Sequence, residues 1–178
     1  ITIMNIGENL KDKKIILTGG SRGIGLSILD KLYAFESKVL VIGSNNKNLL
    51  TTKEKYPNIL IEQLNLEDHK KITESFSGYI EKLGGLDILV NNAGITRDNL
   101  AIRMNLDEWN QVVNVNLTSS FLLSQQAIKF MMKNKKGSII NISSVVGHTG
   151  NAGQVNYSSS KAGLLAMSKT LAREYAKK

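Results

Sequence analysis

The chain has 178 residues, of which 42% are hydrophobic and 21% charged, with a formal net charge of +8. That length suits one domain, and that composition excludes a disordered tail. No apolar run approaches the roughly 20 residues of a membrane helix, and without cysteine there is no disulfide scaffold, thiol nucleophile or zinc–thiolate site.

His69 and His148 are the only histidines, which excludes a histidine-rich metal site. Of the 23 basic residues, 19 are lysine, and the four arginines are Arg22, Arg97, Arg103 and Arg173. Arginine is the usual bidentate reader of base edges. The lysines are scattered apart from Lys133, Lys135 and Lys136. They read as a solvated surface, so no nucleic-acid partner and no membrane partner are expected. Residues 1–10 lack both a charged n-region and a long apolar core, so they read as a tag remnant or native extension rather than a secretory signal.

In chain order, residues 14–18 predict a strand. Residues 23–35 predict a helix, with Ile24, Ile28, Leu32 and Phe35 spaced for one buried face. A second strand spans 39–42, and a helix of about ten residues then stops before Pro57. A third strand (59–64) leads into a polar amphipathic helix (68–82) ended by Gly84-Gly85. A fourth strand (86–90), a long helix (107–133), a fifth strand (138–142), a glycine-punctuated loop and a last helix (157–176) follow.

Strands alternating with helices of this length predict an α/β, Rossmann-type, doubly wound parallel sheet in three layers. Crossovers are expected to be right-handed. No repeat or linker divides the chain, so residues 1–178 read as one nucleotide-binding domain. Nothing after the last helix covers the sheet beyond the fifth strand, so a C-terminally truncated or partly observed chain is expected.

Gly19, Ser21, Arg22, Gly23, Ile24 and Gly25 lie in the turn from the first strand to the first helix. Glycines let the backbone turn tightly and approach a ligand. The helix N-terminus behind them offers N–H groups to a pyrophosphate. That position within a βαβ unit predicts dinucleotide binding. The second strand ends in Gly43-Ser44-Asn45, without the acid that would hold a ribose 2′-hydroxyl. Arg22 can meet a 2′-phosphate, which favours NADP(H), with binding of both cofactors as the alternative.

The glycine turn, Asn91-Asn92-Ala93-Gly94 and Tyr157-x-x-x-Lys161 together resemble the short-chain dehydrogenase/reductase family. The stretches NNAGITRDNL (91–100) and SSVVGHTGNAGQVNY (143–157) resemble its 3-oxoacyl-[acyl-carrier-protein] reductases. The resemblance implies Tyr157 as general acid. A free phenol has a pKa of about 10, and a nearby ammonium favours its anion. Lys161 lies one helical turn on. The resemblance places the catalytic serine 13 residues before the tyrosine, at Ser144, with Ser143 as the alternative. Such a serine stabilises charge developing on the substrate oxygen.

It further implies that Asn116 interrupts the long helix and holds a water linked to Lys161, with Asn114 as a nearby decoy. It implies cofactor contacts from Ser44, Asn65, Leu66, Asn92, Ala93, Gly94, Tyr157 and Lys161. Asn91 reads instead as a tie from the fourth strand to its neighbours. The resemblance also implies a cytoplasmic homotetramer acting on a 3-oxoacyl thioester carried by acyl carrier protein. Arg103 and the Lys133, Lys135, Lys136 cluster are candidates for the basic rim that meets the acidic carrier. A reductase of another ketone or sugar, or a non-catalytic NADP-binding fragment, are the other readings.

Overall fold

The computed structural model describes residues 9–177. Residues 1–8, which carry most of the segment read above as a tag or extension, lie outside it. The elements are β1 (Lys14–Thr18), α1 (Gly23–Ala34), β2 (Lys38–Gly43), α2 (Asn46–Lys55), β3 (Leu60–Gln63), α3 (His69–Leu83) and β4 (Ile88–Asn91). Then come α4 (Leu106–Val113), a π-helical turn (Asn114–Thr118), α5 (Ser119–Asn134), β5 (Ser138–Asn141), α6 (Val146–Thr149) and α7 (Val155–Tyr175).

The five strands are parallel, in the order β3-β2-β1-β4-β5. β1 sits at the centre, and Ile15, Ile16 and Leu17 have no exposed surface. Because successive side chains alternate across the sheet, these residues feed two separate cores. Ile16, Leu40 and Leu89 pack with Phe76 and Ile72 of α3 and Leu123 of α5. Ile15, Leu17 and Val41 pack with Leu29 of α1 and Leu49 of α2 on the other face. This is the predicted three-layer doubly wound sheet. The chain order reverses between β1 and β4, and that switch point is where ligands bind in such sheets.

Local chemistry sets the helix ends. Asp68 accepts from the Lys71 N–H at the start of α3, and Gly84 closes the helix in the left-handed region at φ 75°. Asn105 and Glu108 form a reciprocal capping box on α4.

Two expectations change. Of the α1 stripe at Ile24, Ile28, Leu32 and Phe35, Leu32 is buried and Ile28 packs against the core, but Ile24 is 67% exposed and the buried face is Gly25, Leu29 and Leu32. The helix runs so close to the preceding turn that only a residue without a side chain fits inward at 25. Ile24 is rotated to the crevice mouth. The 107–133 helix is interrupted at Asn116 as the resemblance implies, by a π-helical turn over Asn114–Thr118. The glycine-punctuated loop contains α6, and the last helix begins two residues earlier than expected, at Val155. Gly147 explains the seat of α6: a Cβ there would lie 3.0 Å from the Ala162 nitrogen and the Lys161 carbonyl carbon of α7.

Candidate functional site

A crevice of about 790 Å³ opens at the C-terminal ends of the strands, at the β1/β4 switch point. Its lining includes Gly19, Ser21, Arg22, Gly23, Ile24 and Gly25 from the turn before α1. Ser44, Asn65 and Leu66 line it from the ends of β2 and β3, and Asn92, Ala93 and Gly94 from the end of β4. A second hollow shares Arg22, Ile24, Asn92 and Gly94 with the first and adds Ser143, Tyr157 and Lys161. The structure thus brings the sequence-predicted residues to one continuous cleft, except that Ser143 rather than Ser144 is on its wall and Asn116 lies buried behind it.

The turn is held open by its own backbone. Gly19 has φ +68°, and a Cβ at Gly25 would lie 2.1 Å from the Gly19 carbonyl oxygen. Arg22 caps α1 without a side-chain hydrogen bond, so no side chain fills the helix N-terminus. Thr18 organises the other wall: its hydroxyl oxygen accepts from the backbone N–H groups of Asn92 and Ala93, each at 3.0 Å. Asn92 returns the contact, donating to the carbonyls of Thr18 at 3.0 Å and Gly19 at 3.2 Å. The Asn92 amide is therefore committed to the turn, and the cleft sees its flank. Asn91 donates to Asn141 Oδ1 at 2.8 Å and Ser124 Oγ at 3.1 Å, tying β4 to β5 and α5 as expected.

Among the described residues the end of β2 carries no acid, and the acid lining the crevice is Glu67, after β3. Asn45 there caps α2 by accepting from the Asn48 N–H. Arg22 is exposed at the cleft and makes no ion pair among the described residues. An uncapped helix N-terminus, a glycine backbone and a free guanidinium fit a pyrophosphate carrying an extra phosphate nearby. These residues fit NADP(H).

Lys161 is 4% exposed, and its Nζ donates to the Ile142 carbonyl at 2.7 Å. Burial pushes its pKa below the usual lysine value. The same nitrogen lies 5.6 Å from the centre of the Tyr157 ring. The i, i+4 spacing on α7 therefore places the ammonium beside the phenol. Ser143 donates its hydroxyl to the Lys161 carbonyl at 2.9 Å. Ser144 is only an acceptor, from the Val146 N–H at 3.4 Å. Its proton stays available although its neighbour lines the hollow.

Asn116 is fully buried in the π-helical turn. Its Oδ1 accepts from the Ile95 N–H at 2.8 Å, and its amide donates to the Ile95 carbonyl at 2.9 Å and Ser160 Oγ at 3.2 Å. Asn114, the decoy, is half-buried. Two positions escaped the sequence reading. Thr18 looks like any β-branched strand residue. Asn156, fully buried beside Tyr157, looks like a polar helix start. Only an asparagine directly before the tyrosine hinted at it. Among the described residues no cluster of metal-ligating side chains occurs.

The family model described as short chain dehydrogenase matches residues 13–178. The chain belongs to the short-chain dehydrogenase family. A relative of this short-chain dehydrogenase is the 3-oxoacyl-[acyl-carrier-protein] reductase FabG of Aquifex aeolicus. It is 44% identical over 172 residues, which cover 94% of this chain and 69% of that protein. FabG of Rickettsia typhi is 46% identical over 168 residues, covering 92% of this chain and 67% of that one. A crystal structure of a short chain dehydrogenase from Bacillus anthracis superposes with a TM-score of 0.89 at 30% identity, covering 95% of this chain and 72% of that one. Like its family, this short-chain dehydrogenase is an oxidoreductase.

Proposed function

We propose that this short-chain dehydrogenase reduces 3-oxoacyl-[acyl-carrier-protein] to the 3-hydroxyacyl form in fatty acid synthesis. The observation that carries the reductase reading is the Tyr157–Lys161 pair at the cleft, with the ammonium nitrogen 5.6 Å from the ring centre. The similarity to 3-oxoacyl-[acyl-carrier-protein] reductases supports the substrate class.

When bound, NADPH supplies the hydride that reduces the C3 carbonyl. Gly19, Ser21, Gly23, Ile24 and Gly25 would hold the pyrophosphate at the start of α1, and Arg22 would meet the 2′-phosphate. Ser44, Asn65 and Leu66 border the adenosine, and Asn92, Ala93 and Gly94 border the nicotinamide half. Tyr157 gives its phenolic proton to the oxygen on C3 as negative charge develops there. Ser144 donates a hydrogen bond to the same oxygen. Lys161 places positive charge where it favours the phenolate left behind, and would bind the ribose of the nicotinamide half beside Tyr157. Asn116 acts by holding Ile95 at the cleft and interrupting the helix. Both hydrogens of its amide are spent on protein partners, so any water linked to Lys161 is not held by that amide.

Arg103, exposed in the segment that follows β4, offers a basic group beside the cleft to an acidic carrier protein, whereas Lys133, Lys135 and Lys136 precede β5 and so stand at the opposite end of the parallel sheet, away from the cleft. The homotetramer belongs to the same reading, and Phe121, 42% exposed on α5, would lie on a face between its subunits. A cytoplasmic setting belongs to the same reading. No helix among the described residues is long and apolar enough to cross a membrane.

The test is NADPH oxidation by the full-length enzyme with a 3-oxoacyl thioester, on carrier protein and as a small thioester. NADH and Tyr157→Phe are the controls. Turnover lost in the Phe variant supports the reading, and Arg103→Glu then raises KM for the carrier-bound substrate alone. Reduction of another ketone with none of the 3-oxoacyl thioester overturns it.

A further inference from the structure

The start of α7 is fastened to residues 95–105 by a set of hydrogen bonds centred on Asn156. This asparagine has no exposed surface. Its Oδ1 accepts from the Tyr157 N–H at 2.7 Å, satisfying a first-turn donor that has no partner within the helix. Its amide donates to the Arg97 carbonyl at 2.8 Å and the Glu108 carbonyl at 3.2 Å. One side chain therefore holds the backbone of Tyr157, the loop after β4 and the end of α4's first turn.

Two further bonds close the same seam at the surface. Asn99 donates its N–H to the Gly153 carbonyl at 2.8 Å. Gln154 donates through Nε2 to Asp98 Oδ2 at 2.9 Å, while its Oε1 accepts from Asn151 at 3.0 Å. Arg97, whose carbonyl is gripped by Asn156, lines both halves of the cleft.

We propose that this clasp positions Tyr157 against the cleft, with Asn156 as its buried centre and Gln154–Asp98 as its outer latch. The proposal rests on the reading of Tyr157 as proton donor. Asn156 is a positioning residue: it touches neither substrate nor cofactor and acts through the tyrosine's backbone. The clasp shares no hydrogen bond with the glycine turn, so loosening it leaves that turn, the pyrophosphate side of the cleft, in place while it moves the tyrosine. A reacting group displaced by a fraction of an ångström loses rate far more than affinity.

The latch is half-exposed or exposed, so it can be changed without emptying a core. Gln154→Glu turns the Asp98 contact into a repulsion while keeping the acceptor for Asn151. Adding Asp98→Asn restores a donor on the opposite side. In the full-length enzyme, Gln154→Glu is expected to lower kcat about tenfold, with the NADPH dissociation constant changed less than about twofold and Tm unchanged. The double variant is expected to return kcat to within about threefold of wild type. Amide exchange in 154–160 speeds up in Gln154→Glu and slows again in the double variant, a readout independent of turnover. Asn156→Ala is expected to act in the same direction and more strongly, and if it does not fold, the latch variants still decide. Wild-type kcat and exchange in Gln154→Glu, or no recovery in the double variant, overturns the proposal. Tyr157→Phe separates the two readings. If that variant keeps full turnover, the proton-donor reading fails. If it is inactive while Gln154→Glu behaves as wild type, the clasp alone fails.

Discussion

The side chain of Asn116 pairs with both main-chain groups of Ile95, accepting from its N–H at 2.8 Å and donating to its carbonyl at 2.9 Å. A helix residue thus imitates a strand neighbour for the loop that leaves β4. The π-helical turn makes this possible by swinging Asn116 inward. Asn116→Ala leaves a buried donor and acceptor without partners, at a cost of about 2–4 kcal/mol. Urea denaturation measures it. A loss below about 0.5 kcal/mol would mean that water replaces the amide.

Two glycines in helices should respond in opposite directions. A Cβ at Gly25 would lie 2.1 Å from the Gly19 carbonyl oxygen and 2.5 Å from Asn92 Nδ2, so Gly25→Ala must displace the turn. NADPH binding, followed by fluorescence, is expected to weaken at least about a hundredfold, since overpacking forces the backbone to shift. Gly78 lies within α3, and a Cβ there meets nothing within 4 Å. Gly78→Ala is expected to stabilise the protein by about 0.5–1 kcal/mol and to raise Tm.

The adjacent serines separate by their hydrogen bonds. Ser143 spends its proton on the Lys161 carbonyl, and Ser144 does not. Ser144→Ala is expected to lower kcat about a hundredfold, as for loss of one donor to a developing oxyanion. Ser143→Ala is expected to keep kcat within about twofold and to cost about 1 kcal/mol of stability. Steady-state kinetics on both variants would reverse the assignment if the effects exchange.

Arg22 is the one basic residue in the turn before α1. Arg22→Ala is expected to weaken NADPH binding about tenfold and to leave NADH binding unchanged, because the charge-assisted bond is made only to the 2′-phosphate. Parallel titrations with the two cofactors check it, and an equal loss for both would place the guanidinium on the shared pyrophosphate.

Lys161 makes stability depend on pH. Burial lowers its folded pKa below the 10.5 of a free lysine. Between the lowered value and 10.5 the unfolded chain binds more protons than the folded one, so stability rises with pH across that window. Below the lowered pKa both states carry the proton, and the cost of burying the charge is fully present. Lys161→Met has no such dependence. The stability of wild type relative to this variant is therefore expected to increase as pH rises from the lowered pKa towards 10.5. Denaturant titrations across that range measure it, and a flat difference would mean that the ammonium keeps its ordinary solvation.

Much of the fold was legible because its signals are local. Five β-branched runs, the amphipathic stretch over 68–82 and Gly84-Gly85 each state a strand, a helix or a stop on their own. The glycine turn was legible for the same reason. What failed was direction. Ile24 has the right residue type and spacing for a core face, yet it stands at the cleft mouth because Gly25 meets the turn instead. Residues 145–155 carry three glycines and read as loop, yet Gly147 is there to let a short helix rest on α7.

The sequence by itself determined the element order, the parallel sheet, the dinucleotide turn and the spacing of Tyr157 and Lys161. Each depends on residues within a turn or two of one another, where periodicity and backbone freedom act directly. Only the tertiary structure decided which groups are spent and which are free. The Asn92 amide is taken by Thr18 and Gly19, the Ser143 proton by Lys161, and Asn116 by Ile95. Asn156 gained its place by reaching Arg97, 59 residues away in the chain. A buried polar group must find a partner wherever the fold brings one. Such partners are set by the packing of distant elements, which no local pattern encodes.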